Sequence, residues 1–65
     1  MEVFINQIPT HFVEGATLNQ ALQSSEARQP FAVAVNLQFI PRSAYDTTIL
    51  KAGDLIEIVH PVTGG

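Results

Sequence analysis

The chain ends His60-Pro61-Val62-Thr63-Gly64-Gly65, and its last two residues have no side chain with which to pack, ionise or bind. Such an end is either a ragged tail or a tail whose terminal carboxylate is the working group, and the preceding residues favour the second. Pro61 forbids a further ladder hydrogen bond. Val62 and Thr63 are β-branched and favour extended backbone. Five extended residues reach roughly 17 Å at ~3.3–3.6 Å each, a thin arm able to enter a channel closed to a folded domain. Without a Cβ at Gly64 or Gly65, a bulky group can approach the terminal carboxyl carbon, and both residues tolerate backbone angles denied to others. A carboxylate repels nucleophiles and has to be activated. The chain has neither a G-x-x-x-x-G-K-S/T nor a G-x-G-x-x-G phosphate-binding loop. The arm therefore reads as a substrate, activated by a partner.

Other side chains offer little chemistry. His11 and His60 fall on strands of different expected depth, and a metal site wants three or four ligands in fixed geometry; both read as surface histidines, with no metal bound. Ser43 and Asp46 read as a local cap rather than a nucleophile with its orienter. Arg42 either pairs with a carboxylate or touches a partner. Asp54 follows Gly53 and should fix a turn, and Tyr45 reads as a half-buried lid over the core. No cluster supports catalysis, so no catalytic residue is assigned and the chain is not expected to be an enzyme.

Composition narrows the function classes. Six acids face only Arg28, Arg42 and Lys51, a net charge of −3. Nucleic acid needs clustered cations to neutralise phosphates, so that partner is not expected, whereas a protein with a basic face fits. No apolar run approaches the ~20 residues of a membrane span, and Met1 to Phe12 lacks the basic start and apolar block of a signal peptide. With no cysteine to form a disulfide or a thiolate metal site, a cytoplasmic location is expected. No internal repeat is evident. A chain of 65 residues makes one domain, and its stability must come from one small apolar core.

The elements that hold the arm follow from periodicity. Met1, Val3 and Ile5 alternate as a strand, with Glu2 and Phe4 on the other face. Asn6-Gln7 is a turn, and the IPTHFV segment returns with Ile8 opposite Ile5 and with Thr10 and Phe12 inward. Pro9 confines that strand to an edge. Thr17 and Gln20 form a capping-box pattern, and Leu18, Ala21 and Leu22 make one apolar helical face that ends near Ser24-Ser25. The EARQP segment is a polar connection. Phe31, Val33 and Val35 point inward, Ala32 and Ala34 outward. A turn at Asn36-Leu37 leads to a short strand that Pro41 ends, then a turn of 3₁₀ helix. Ile49 and Leu50 are expected to be buried. A turn at KAGD precedes the last strand, with Ile56 and Ile58 inward.

The order is β-β-α-β-β-β with one amphipathic helix. One helical stripe needs one inner sheet face, so the expected class is α+β: a β-grasp (ubiquitin-like) fold, a mixed curled sheet packed on one helix. Residues 1–60 form the single domain and 61–65 a flexible C-terminal tail. The outer sheet face would carry Phe4, Leu55, Glu57 and Val59, flattened by Ala32 and Ala34. Exposed apolar groups beside acids suggest a partner surface. The alternative is that single surface hydrophobes are ordinary and that Phe4 merely pairs with Val59 across strands. Pro61 and Val62 flank the tail and join the expected contacts.

The stretch VAVNLQFIPRSAYDTTILKAGDLIEIVHPVTGG resembles the ThiS family, the sulfur carrier proteins of thiazole (thiamine) biosynthesis. The resemblance rests on V-N-x-x-x-I-P-R at Val35, Asn36, Ile40, Pro41 and Arg42, and on L-x-x-G-D at Leu50, Gly53 and Asp54. It continues with I-E-I at Ile56 to Ile58 and P-V-x-G-G at the end. The first half adds the Asn6 turn and a G-x-T-L helix start at Gly15, Thr17 and Leu18. Gln7 stands where glycine or an acid is commoner. The strand order, with the first and last strands central, rests on this resemblance.

The resemblance implies a carrier acting with partners. An E1-like adenylyltransferase (ThiF-type), using ATP and Mg, would join AMP to the carboxylate of Gly65. Sulfur from a cysteine desulfurase, delivered as a persulfide, would displace AMP and leave a thiocarboxylate (1-thioglycine) at Gly65. Thiazole synthase (ThiG-type) would receive the sulfur. Pro61, Val62, Thr63 and Gly64 would be needed for activation, and this chain would bind no cofactor itself. The absence of cysteine leaves no internal thiol to attack the activated end. The small subunit of molybdopterin synthase, a ubiquitin-like modifier and an inert β-grasp interaction module are the competing readings.

Overall fold

The alternation of Met1, Val3 and Ile5 produces strand β1, Glu2–Ile5, with Val3 fully buried. Asn6 and Gln7 reverse the chain, and β2, Ile8–His11, returns with Ile8 opposite Ile5 and Thr10 opposite Val3. The computed structural model describes residues 1–25 and 31–60. The expected EARQP connection, the tail residues Pro61 to Gly65 and Arg28 lie outside the described residues.

Helix α1, Leu18–Ser24, starts on a reciprocal cap. The Gln20 N–H donates to Thr17 Oγ1 at 3.2 Å, and the Thr17 N–H donates to Gln20 Oε1 at 2.8 Å. Such a cap contributes about 1 kcal/mol. The helix ends where serine hydroxyls turn back on it: Ser24 Oγ donates to the Ala21 carbonyl and Ser25 Oγ to that of Leu22. Seven residues are too few to hold a helix in water alone. Burial of Leu18, Ala21 and Leu22 against the sheet supplies the rest.

Strand β3, Ala32–Val35, and β4, Gln38–Ile40, form a second hairpin. It repeats the first. β1 and β3 share one burial pattern, each places a valine (Val3, Val33) in the core, and each ends in a turn opened by asparagine. All four turn residues are left-handed: φ is 48° at Asn6, 71° at Gln7, 51° at Asn36 and 69° at Leu37. These are type I′ turns, whose twist suits a tight hairpin. The sequence shows no repeat because Val and Asn are nearly all that the two hairpins share.

Strand β5, Leu55–Val59, joins the hairpins. It runs parallel to β1 and antiparallel to β3, giving the order β2-β1-β5-β3-β4. Pro9 therefore sits on an edge strand, as its missing N–H requires. Leu18, Ile56, Val3 and Val33 are the largest fully buried side chains, and α1 lies over the inner face they define.

Two burial expectations change. Ile49 is 53 % exposed, because it bridges Thr17 and its neighbour Leu50 takes the inward position. Consecutive residues of extended chain point to opposite sides, so only one of the pair can be core. Tyr45 is buried rather than half-buried; its ring stacks on Phe31 with centroids 6.3 Å apart.

Candidate functional site

The residues of β5 alternate strictly. Ile56 and Ile58 enter the core, while Leu55, Glu57 and Val59 face outward. Cross-strand register brings the predicted outer-face residues together. Phe4 lies opposite Leu55, Ala34 opposite Glu57 and Ala32 opposite Val59. The partner of Phe4 across the strands is thus Leu55 and not Val59. Ala32 and Ala34 have no bulk to cover their neighbours, and Leu55 and Val59 remain exposed, at 48 % and 59 %. Phe39, opposite Ala34 and 66 % exposed, extends the same face. Sequence reasoning missed it, although a two-residue turn at Asn36-Leu37 pairs Phe39 with outward Ala34. Among the described residues the Glu57 carboxylate has no hydrogen bond or ion pair. A free carboxylate amid apolar side chains suits a partner that brings a cation ringed by apolar contacts.

Strand β5 is clamped at both ends by asparagines that the sequence marked only as turn residues. Asn6 Nδ2 donates to the Ile58 carbonyl at 3.3 Å, and Asn6 Oδ1 accepts from the Ile58 N–H at 2.8 Å. At the other end Asn36 Oδ1 accepts from the Leu55 N–H at 3.0 Å, and Asn36 Nδ2 donates to Asp54 Oδ1 at 3.1 Å. Asp54 Oδ2 also accepts from the Lys51 N–H at 2.7 Å, so it does fix its turn. Gly53 supplies the left-handed φ of 85° that this turn needs.

The remaining candidates stay apart. His11 Nε2 on the edge strand β2 lies 3.5 Å from Glu2 Oε2 on the neighbouring β1, whereas His60 sets its ring edge-on to Phe31. No group of three metal-ligating side chains exists among the described residues. Asp46 does not cap locally with Ser43; its Oδ1 accepts from Asn19 Nδ2 at 2.7 Å and ties the 3₁₀ turn to α1. Arg42 forms no ion pair among the described residues. No helix among them is long and apolar enough to cross a membrane.

A mixed sheet whose first and last strands run parallel side by side, curled over one helix, is the β-grasp of ubiquitin-like proteins. The sequence model of the ThiS family matches residues 3–65. This chain belongs to the ThiS family. It is similar to the sulfur carrier protein ThiS of Escherichia coli (strain K12), 29 % identical over 66 residues and spanning 100 % of both chains. Among solved structures it resembles the crystal structure of the thiamine biosynthesis protein ThiS from Geobacter metallireducens. The TM-score there is 0.83 at 26 % identity, with all of both chains covered. The solution structure of a thiamine biosynthesis protein from the same organism gives 0.77 at 26 % identity, covering 100 % of this chain and 88 % of the other.

Proposed function

We propose that this chain is a sulfur carrier of thiamine biosynthesis and that the carboxylate of Gly65 is the carrying group. The observation that supports this reading is a family match running unbroken to the terminal Gly-Gly. An E1-like enzyme with ATP and Mg forms an acyl-adenylate at Gly65 and releases pyrophosphate. A persulfide sulfur then attacks the carbonyl carbon, the C–O bond to AMP breaks and AMP leaves. A second thiol of the partner cuts the remaining S–S bond, becoming part of a disulfide and leaving the thiocarboxylate. Thiazole synthase takes the sulfur. The chain's own contribution is an unhindered end and a surface that presents it; Pro61, Val62, Thr63 and Gly64 span the distance.

Intact mass tests this directly. With ATP, Mg, an adenylyltransferase and a persulfide donor the chain gains about 16 Da, one oxygen exchanged for sulfur through an activated carboxyl. No gain in a mixture that loads the E. coli relative would refute the assignment. Addition of thiazole synthase and its substrates should then remove the extra mass; retention of it would redirect the sulfur to another acceptor.

Phe4, Leu55, Glu57 and Val59 form the docking surface in this reading. Phe4→Ala and Val59→Ala should each raise KM for adenylation about tenfold, or ~1.4 kcal/mol, typical of an apolar interface contact. Both variants should stay folded, since the face lies outside the core. Unchanged kinetics in soluble, folded variants would remove this face from the interface.

A further inference from the structure

Among the described residues, Asn6 does something no other turn residue does: it takes both backbone hydrogen-bonding groups of Ile58 with its carboxamide. The cause is geometric. The ladder between β1 and β5 runs as far as the Asn6 N–H, which donates to the Ile56 carbonyl at 2.8 Å. Beyond it the chain reverses at a left-handed φ of 48°, so β1 has no backbone left to offer Ile58. The side chain stands in for the missing strand. Ile58 is 8 % exposed, and an unpaired buried N–H would cost about 1–3 kcal/mol.

Position gives the bond a consequence. Ile58 is three residues before Pro61, the first of Pro61-Val62-Thr63-Gly64-Gly65, with Val59 and His60 between. Val59 is paired on the β3 side, to Ala32. On the β1 side, among the described residues, Asn6 makes the last hydrogen bonds to β5. The Asn36 clamp grips the opposite end of the strand, at Leu55.

We propose that Asn6 is a positioning residue for the terminal carboxylate: by pinning Ile58 it fixes where, and in which direction, the arm leaves the sheet. This rests on the carrier reading above. When the outer face docks, an arm with a fixed origin delivers its end to the activating site at high effective concentration. Freeing residues 58–60 on one side lengthens the tether and dilutes that end. The dilution acts after docking, so kcat falls while KM holds.

Asn6→Gly and Asn36→Gly test this as a pair. Glycine keeps the left-handed turn and deletes only the carboxamide. In the free protein, Asn6→Gly should speed amide hydrogen exchange at Ile58 and Val59 about tenfold beyond any global change. Asn36→Gly should do so at Leu55 alone. In adenylation assays Asn6→Gly should lower kcat about tenfold with KM within about twofold, and Asn36→Gly should leave both unchanged. Equal kcat losses in the two variants would reduce Asn6 to a stability role and overturn the proposal. So would an unchanged kcat despite faster Ile58 exchange, or a rise in KM alone, which would make Asn6 a docking contact. Should Asn6→Gly fail to fold, Asn6→Asp keeps the acceptor for the Ile58 N–H, loses the donor to its carbonyl, and should show a smaller kcat loss of the same kind. An unmodified wild-type chain in a competent mixture defeats the carrier reading itself; a wild type that loads as fast as Asn6→Gly defeats only this inference.

Discussion

Adding one tryptophan after Gly65, or deleting Gly65, should lower sulfur loading by a factor on the order of 10² or more. Either change moves the carboxylate by about one residue, roughly 3.3–3.6 Å along an extended chain. A misplacement of ~1 Å in a reacting group already costs about 10²-fold. The added tryptophan also puts a Cβ and a ring beside the carbon that has to be attacked. Folding is untouched, because neither change reaches the core. Intact mass after incubation with the activating enzyme and a persulfide donor reads the result. A tryptophan-extended chain that still gains one sulfur at the wild-type rate would show that the terminal carboxylate is not the reacting group.

Leu18→Ala should bring the largest loss of stability. Leu18 is fully buried at the first position of α1 and meets Val3, Val33 and Ile56 in one cluster. Large-to-small changes of this kind cost about 2–5 kcal/mol. A chain of 65 residues at ~0.05–0.15 kcal/mol per residue has only roughly 3–10 kcal/mol in total. In a domain of this size each kcal/mol shifts Tm by about 4–8 °C, so the fall should be at least ~8 °C. Thermal melting by circular dichroism measures it. A fall of under about 5 °C would mean that α1 is not packed on this sheet. Val13→Ala, at a position 76 % exposed, is the matching control and should change little.

How much of this was legible depends on how far each signal travels along the chain. Local signals read well. The Thr17 and Gln20 cap, the period-two strands and the edge assignment of Pro9 each need only a few neighbouring residues. The β5 alternation read equally well, and with it the outward set Leu55, Glu57 and Val59. What failed depended on pairing between distant segments. Ile49 looked buried beside Leu50, but its bridge to Thr17 decides which of the two faces in. Asp46 looked local to Ser43, yet its partner is Asn19 on the helix. The asparagine clamps were read only as turns, since a turn residue does not declare which strand its carboxamide will meet. A valine followed three residues later by asparagine, at Val3-Asn6 and again at Val33-Asn36, was the available sign, too sparse to separate from coincidence. The end of the chain was read from the chemistry of glycine and the resemblance, and it lies outside the described residues.

The place of β5 has a consequence for how the molecule comes into being. Of the described strands, the one made last welds the two hairpins together, with β1 on one flank and β3 on the other. A nascent chain that has not passed Leu55 holds two half-sheets with nothing between them, and closure waits for contacts between its beginning and its end. The outer surface exists only once β5 has been made, so a chain cut before Leu55 lacks the face that Leu55, Glu57 and Val59 build.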